Sequence, residues 1–430
     1  MLSKLMILKY YLKYRYLLNF KSRKQIEKFQ EKQIGKSIDF AKMNSEFFSE
    51  LYNNHTDLET LPHIDKQTMM DNFDRFNTLK LSKDEVLSLA IESEKSRDFT
   101  PKIGNISVGL SSGTSGHRGV FLVSEKEKNM WAGAVLAKLL PKGLFSKTRI
   151  AFFLRANNNL YESVNTKTIS LQYFDMLQKT SSHLESLNML QADILIAPPQ
   201  VLIELAKLRH DSKLQYSPGK IISCAEVLQD EDASFIKKCF NINIVHQIYQ
   251  CTEGFLAHTC DAGTIHINED IVKIEKEYLS EGRFVPIITD FTRRSQPIIK
   301  YRLNDILVEK KSVCSCGSPF MAIEKIEGRE DDTFVFENKE KGQFITVYPD
   351  FIRRLITYVE GILDYKVIQE SYHQVLVQFN DITPKQKKAI SSEFNRLAEI
   401  MQFDMPQIRF EGMTIEKDKK LRRIQRQFKH

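Results

Sequence analysis

The stretch Ile106-Ser107-Val108-Gly109-Leu110-Ser111-Ser112-Gly113-Thr114-Ser115-Gly116 decides how the chain is read. Its first five residues alternate like a strand, and the next six supply four hydroxyls and two glycines. Glycine lets the backbone come close to a ligand, so several N–H and O–H donors can converge on one anion. His117 and Arg118 add positive charge directly afterwards. The pattern is not the GxxxxGK[ST] phosphate loop, because no Lys stands at that spacing. Taken alone, such a turn reads either as an ordinary loop or as a phosphate cradle.

The flanks narrow the choice. Downstream, apolar strands alternate with helical segments: Arg149–Arg155 as strand, Ser181–Gln191 as helix, Ala192–Ala197 as strand, Pro199–Leu208 as helix and Lys220–Ser223 as strand. This alternation predicts a mostly parallel α/β sheet. Residues 281–327 read as short strands and turns, a β-rich addition. Upstream, residues 30–100 are polar, helical in pattern and poor in Gly. The segment Leu2–Phe29 reads as a basic helix or helix pair that packs on its own domain, with a membrane-surface face as the alternative. After Gly328-Arg329-Glu330-Asp331-Asp332 the order helix (Tyr348–Val359), strand (Asp364–Gln369), strand (Gln374–Phe379), helix (Pro384–Met401), strand (Gln407–Phe410) predicts a small ferredoxin-like α+β domain. The expected division is 1–100 as the helical part of a large domain, 101–328 as its ligand-binding core, and 333–430 as a C-terminal lid.

Composition fits this. The 430 residues, 42% hydrophobic and 27% charged, are enough for two or three folded domains and exclude global disorder. A net charge of +7 suits anionic small ligands without indicating nucleic acid. The basic tail Lys417–Lys429 comes with no aromatic platform, so nucleic acid is not expected as a partner. No apolar run approaches the roughly 18 residues of a membrane span, and lysines interrupt the first twenty residues where a secretory leader would be apolar. Six Cys are too few for a disulfide scaffold, and a cytoplasmic protein is expected.

Three further segments carry chemistry. Tyr249-Gln250-Cys251-Thr252-Glu253-Gly254 follows the apolar stretch Ile242–Ile248, at a strand end where open α/β sheets bind ligands. Asp305 stands just beyond the strand-like Pro297–Leu303, and Lys420 precedes Arg423 in a K-x-x-R spacing. In this order the set resembles the adenylate-forming ligase superfamily, the acyl- and aryl-CoA synthetases and adenylation domains. Within it the chain is similar to the phenylacetate-CoA ligase and coenzyme-F-synthetase branch, over essentially its whole length.

The resemblance implies roles. Ser111, Ser112, Gly113, Thr114, Ser115 and Gly116 would cradle the β- and γ-phosphates of ATP. Tyr249 would pack on adenine, Thr252 would bond the α-phosphate and Glu253 would hold Mg²⁺. Asp305 would accept from the ribose hydroxyls with Arg302 beside it, Asp331 matches the hinge, and Lys420 matches the lysine that bridges substrate carboxylate and phosphate. The implied activity is formation of an acyl-adenylate from a carboxylic acid and Mg·ATP, then acyl transfer, with CoA the first acceptor. An amine or carrier-protein thiol, or a scaffold that binds nucleotide without turnover, are the alternatives. Three departures bear on this: Gln250 replaces the family's Gly, His117-Arg118 replaces its Pro-Lys, and Lys419 is chemically equivalent to Lys420.

A second constellation pairs His258 and Cys260 with Cys314 and Cys316. Residues i and i+2 of a strand share a face, so each pair presents two ligands to one point, a Cys₃His set suited to structural Zn²⁺. The branch's comparable Cys-x-Cys-Gly supports this. His266 is a substitute ligand, and four reduced side chains that never meet are the alternative. Cys251, Cys224 and Cys239 stand apart from the set. Glu226 reads equally as a site or a structural carboxylate, whereas Asn157–Asn159 read as a polar turn ahead of a substrate contact. The acid and the oligomeric state, a homodimer included, have no code in the sequence.

Overall fold

A computed structural model describes residues 2–53, 61–96, 98, 100–110, 119–154, 164–176, 178–280, 282–340, 342–357, 359, 362, 364–413 and 422–428. It divides into two compact units: Met1–Leu303 with Glu309–Lys325, and Asn304–Val308 with Ile326–His430.

The large unit begins with helices α1 (Leu2–Leu12), α2 (Arg23–Asn44), α3 (Glu46–Asn53), α4 (Lys66–Asp71), α5 (Phe73–Phe76) and α6 (Lys83–Ser96). A wide turn of five residues, Lys13–Leu17, follows α1. Strands β1 (Lys102–Ile103), β2 (Ile106–Leu110) and β3 (Val120–Ser124) then form an antiparallel sheet, and β2 and β3 flank the Ser/Gly loop. Helix α7 (Glu125–Leu139) starts from a capping box: the Ser124 hydroxyl accepts from the Glu127 N–H while the Glu127 side chain accepts from the Ser124 N–H.

The sequence pattern then becomes the sheet it predicts. Strands β4 (Thr148–Leu154), β5 (Ile169–Asp175), β6 (Ile194–Ala197), β7 (Lys220–Ser223) and β8 (Val245–Gln250) lie in the order β5-β4-β6-β7-β8, all parallel. Helices α8 (Leu184–Leu190), α9 (Pro199–His210) and α10 (Asp230–Phe240) make connections between them. All four residues of β6 and of β7 are buried, as expected of parallel strands covered on both faces. Side chains of Phe153, Leu195, Leu202 and Ile236 pack on one face, and those of Ile150, Phe152, Ile194 and Ile222 pack with α7 on the other.

Beyond β8 the sheet turns antiparallel through β9 (Phe255–Thr259) and β10 (Ile265–Ile267). The β-rich addition contains β11 (Val272–Ser280), β12 (Arg283–Asp290) and β13 (Ile298–Arg302), paired antiparallel. Strands β14 (Asp305–Glu309) and β15 (Ala322–Arg329) run across the division between units.

In the small unit, the hairpin β16 (Phe334–Glu337) and β17 (Phe344–Val347) precedes helix α11 (Pro349–Thr357). Strands β18 (Lys366–Ser371) and β19 (Gln374–Gln378), helix α12 (Pro384–Met401), and strands β20 (Gln407–Glu411) and β21 (Ile424–Arg426) follow, in the sheet order β20-β19-β18-β21. The helix–strand–strand–helix–strand order read from the sequence is there, with the β16–β17 hairpin and β21 added to it. Phe334, Phe336, Phe394 and Phe403 fill its core. The unit takes in Ile326 onward, starting before the expected hinge at Asp331.

The first helix packs on its own domain. Ile7, Tyr10, Tyr11 and Tyr14 are buried with Ala132, Leu136 and Leu140. Close approach depends on Gly133: a Cβ there would lie 2.6 Å from Tyr10 Cβ and 2.8 Å from the Ile7 carbonyl oxygen. Among the described residues no helix is long and apolar enough to cross a membrane. Gly133→Ala should therefore overpack the α1–α7 contact and lower the melting temperature, despite alanine's better helix propensity. The expected loss is about 1–3 kcal/mol, read by thermal and urea unfolding.

Candidate functional site

Strand β8 carries Tyr249, buried, and Gln250 to the edge of the parallel region. The chain then turns through Cys251–Gly254, closed by the Cys251 N–H donating to the Gly254 carbonyl at 3.1 Å, and enters β9. This turn presents Thr252 and Glu253. Both Glu253 oxygens accept hydrogen bonds: Oε2 from the Thr252 hydroxyl at 2.8 Å and Oε1 from the Tyr301 hydroxyl at 3.3 Å. Tyr301 is almost fully buried on β13, and burial, then the neighbouring Glu253, raises its phenol well above its ordinary value. It acts at neutral pH as a fixed donor.

Gly254 is required by space. A Cβ there would stand 2.5 Å from Asp290 Oδ2. Asp290, at the end of β12, is buried, and its Oδ1 accepts from the Thr292 N–H at 2.7 Å and hydroxyl at 2.6 Å. Burial pushes its carboxyl up to about 6, against those donors.

Thr252 and Glu253 line a small cleft with Lys66, Gly119, Phe121, Arg293 and Gln296. Gly119 is the residue at which the Ser/Gly loop runs into β3, so the strand-end motif and the exit of that loop open on one space. Ser111, Ser112, Gly113, Thr114, Ser115 and Gly116 themselves lie outside the described residues, as does Lys420. Gln296 fastens β3 to this wall: its Oε1 accepts from the Leu122 N–H at 3.1 Å and its Nε2 donates to the Val120 carbonyl at 3.2 Å. Glu127, at the start of α7, is a second fastener, accepting from the Arg294 N–H at 2.7 Å and the Ser295 N–H at 3.0 Å. Burial opposes its charge, yet Arg293 and the Ser124 and Ser295 hydroxyls hold its carboxyl below the usual range.

Gln250, the departure from the family's Gly, is tied to the chain's single tryptophan, with Trp131 Nε1 donating to its Oε1 at 3.2 Å. Arg302 is engaged with Glu277, its Nε at 3.0 Å and its terminal nitrogen at 2.6 Å from the carboxylate oxygens. In the small unit, Arg329 Nε lies 3.7 Å from Asp305 Oδ1. Asn304 Nδ2 donates to Asp331 Oδ2 at 2.8 Å. Arg422 pairs with buried Asp332, whose carboxyl burial raises to about 6 despite that partner. Arg423 faces Asp364 at 3.8 Å and lies over the Tyr365 ring. No motif in the sequence marks Tyr301, Asp290, Lys66 or Arg293 as site residues. Tyr301 lies within the strand-like Pro297–Leu303, and Lys66 reaches the cleft because Ile64, two residues before it, bridges to Tyr301 on β13.

The cysteine constellation forms with one correction. Cys260, His266, Cys314 and Cys316 place their ligand atoms within 4.8 Å of one another. His258 is not in the set: its Nδ1 lies 2.7 Å from Oδ1 of the fully buried Asn268. Burial, then Lys138, pushes its imidazole down to about 3, so it is neutral and donates this bond. His266 takes the fourth place. Its Nδ1 lies 3.0 Å from the Phe320 carbonyl, which fixes the proton there and leaves the Nε2 lone pair free, 3.3 Å from Cys316 Sγ. Cys260 Sγ and Cys314 Sγ are 3.7 Å apart. Tetrahedral zinc bonds imply about 3.8 Å between two sulfurs and about 3.6 Å between sulfur and nitrogen. Backbone N–H groups of Cys316 and Ser318 point at the sulfurs of Cys314 and Cys316, at 3.5 and 3.4 Å, as thiolates favour. The donor set and its spacing fit zinc.

Asp290 yields a pH dependence. Its folded value of about 6 exceeds the ordinary 3.8, so the folded state holds the proton more tightly. Its contribution to stability is full below about pH 4 and is lost as pH rises through 6. Asp290→Asn should flatten that part of the profile and exceed wild type above pH 6, by up to about 3 kcal/mol. Denaturant unfolding at pH 4.5 and 7.5 reads the difference.

No protein-family model matches the chain. A curated relative, the indoleacetate–lysine synthetase of Pseudomonas savastanoi, is 23% identical over 177 residues, covering 39% of this chain and 41% of that protein. The match thus spans about two fifths of the relative's length. Among solved structures, 2-hydroxyisobutyryl-CoA ligase in the postadenylation state with 2-HIB-AMP superposes with a TM-score of 0.68 at 13% identity, covering 94% of this chain and 90% of that one. The amide bond synthetase of Marinactinospora thermotolerans gives a TM-score of 0.54 at 11% identity, over 73% and 68%. Over nearly its whole length, then, the chain has the fold of the adenylate-forming acyl- and aryl-CoA ligases.

Proposed function

We propose that the protein is an AMP-forming ligase: a carboxylic acid and Mg·ATP give acyl-adenylate and pyrophosphate, and the acyl group passes to an acceptor, CoA first. The observation that carries this reading is the cleft on which Thr252, Glu253 and the exit of the Ser/Gly loop open together. In the reaction a substrate carboxylate oxygen attacks the α-phosphorus and the bond to pyrophosphate breaks. The nucleophile is already ionised, so no general base is needed, and catalysis rests on positioning and charge neutralisation.

The roles follow. The Ser111–Gly116 donors hold the departing phosphates and Thr252 orients the α-phosphate. Glu253, a hard oxygen donor whose carboxylate Tyr301 and Thr252 hold in place, suits Mg²⁺, which when bound neutralises phosphate charge. Lys66 and Arg293 add positive charge to the same cleft. Tyr249 packs on adenine, Asp305 accepts from the ribose hydroxyls, and Lys420 bridges carboxylate and phosphate. The amide-forming alternative keeps this half-reaction and changes the acceptor to an amine; the synthetase likenesses in sequence and structure favour it as second reading. We assign the Cys₃His cluster to a structural zinc ion. Its thiolates, and six cysteines none of which is in a disulfide, suit the reducing cytoplasm.

Two experiments check this. Pyrophosphate release with Mg·ATP, over a panel of aryl and fatty acids with and without CoA or amines, should be acid-dependent. Glu253→Gln and Lys420→Ala should each lower it by about 100-fold or more at unchanged melting temperature. ATP binding without turnover on any acid would support the scaffold instead. For the metal, purified protein should carry about one zinc per chain. His266→Ala should lose it and melt lower, whereas His258→Asn should retain it.

A further inference from the structure

Helix α1 is apolar on two opposite sides, and its own domain covers only one. At 100° per residue, Ile7, Tyr10, Tyr11 and the following Tyr14 share the buried side. Leu2, Leu5, Leu8 and Leu12, spaced three, three and four apart, form a stripe on the other side. They are exposed, Leu2 at 79% and Leu5 at 56%, and the stripe continues into Tyr16 at 61% and Leu17 at 75%. A helix apolar all round belongs in an interior, so half of this one lacks its cover. It cannot roll to hide that half, because Gly133 seats Tyr10 and Ile7 against α7 with no room to spare.

Charge identifies the cover. Residues 1–36 contain ten Lys and Arg and two Glu, a net +8, against +7 for the whole chain, so the remaining 394 residues carry −1. The first acidic residue is Glu27. Lys4 and Lys9 border the leucine stripe and are exposed, as are Lys24, Lys28 and Lys32 on α2. A leucine stripe edged by lysine matches an interface with acyl chains beneath and negative headgroups beside it. A second copy of the chain fits worse: an isologous pairing of α1 would set these lysines near their own copies, with no acid on the helix to answer them.

We infer that the outer face of α1 docks on an anionic membrane surface, seating the large unit there as a peripheral protein. The inference stands apart from the ligase reading.

The test is co-sedimentation of the full chain with phosphatidylcholine vesicles and with vesicles containing phosphatidylglycerol. Pelleting with the anionic vesicles should exceed that with neutral ones by about tenfold or more and should fall as salt rises. Leu5→Gln with Leu12→Gln should remove it at unchanged melting temperature, and Lys4→Gln with Lys9→Gln should weaken it. Equal or absent binding to both vesicles would overturn the inference, as would binding indifferent to the leucines. A dimer in sedimentation velocity that the leucine variant dissolves, without vesicle binding, would overturn it in favour of a second copy.

Discussion

The candidate site depends on one crowded contact, the backbone of Gly254 against the carboxylate of Asp290. Parallel strands deliver the chain to the sheet end at Gln250, and it must reverse within four residues to pair back as β9. The reversal fits only if nothing projects from residue 254, and Asp290 in turn is held by Thr292. With the turn seated, Thr252 and Glu253 face the cleft and Tyr301 reaches the Glu253 carboxylate. A buried acid and a buried phenol from the β-rich addition thus set the position of two groups that belong to the parallel sheet.

Much of this was legible in the sequence, for physical reasons. Ala192–Ala197 reads as a strand because its apolar residues Ile194–Ala197, the observed β6, form the unbroken run that a strand covered on both faces needs, and Lys220–Ser223 reads as the next strand from its place in the strand–helix alternation. The small unit read well because each element has its own boundary signal: Thr383 and Pro384 start α12, and the polar tip of β18–β19 separates two apolar runs. Helix α7 escaped notice. Its signals are present all the same: Trp131, Val135 and Leu139 recur at four-residue spacing, the Ser124–Glu127 capping box marks its start, and the small residues Ala132, Gly133, Ala134 and Ala137 fill the rest of its buried surface. Strand β5 is absent from the sequence reading too, although Ile169, Leu171 and Tyr173 alternate with Ser170 and Gln172 and it pairs with β4 along all seven residues.

The histidine exchange shows where one-dimensional reasoning stops. Placing His258 with Cys260 assumed a flat strand, but β9 ends at Thr259 and Cys260 already belongs to the turn closed by the Gly263 N–H. His258 and His266 sit opposite each other in the antiparallel register, so either imidazole is near enough. Their second nitrogens decide. A fully buried amide takes His258, a backbone carbonyl takes His266, and only the latter leaves a lone pair toward sulfur. No sequence spacing encodes that choice.

The cluster and the strand-end motif lie at opposite ends of the five residues of β9. That strand pairs with β8 across a bulge at Tyr249 and Gln250, a place where register is easily lost, and a slip of one residue would turn each β9 side chain to the other face. A metal joining Cys260 to His266 and to the Cys314–Cys316 loop would clamp the far end of β9 to two segments at once. The near end is already fixed by Gly254 against Asp290. With both ends held, β9 has one register available, and Glu253 keeps its hydroxyl partners. A zinc ion there, at the opposite end of β9 from Glu253, would then act on the candidate site through strand register.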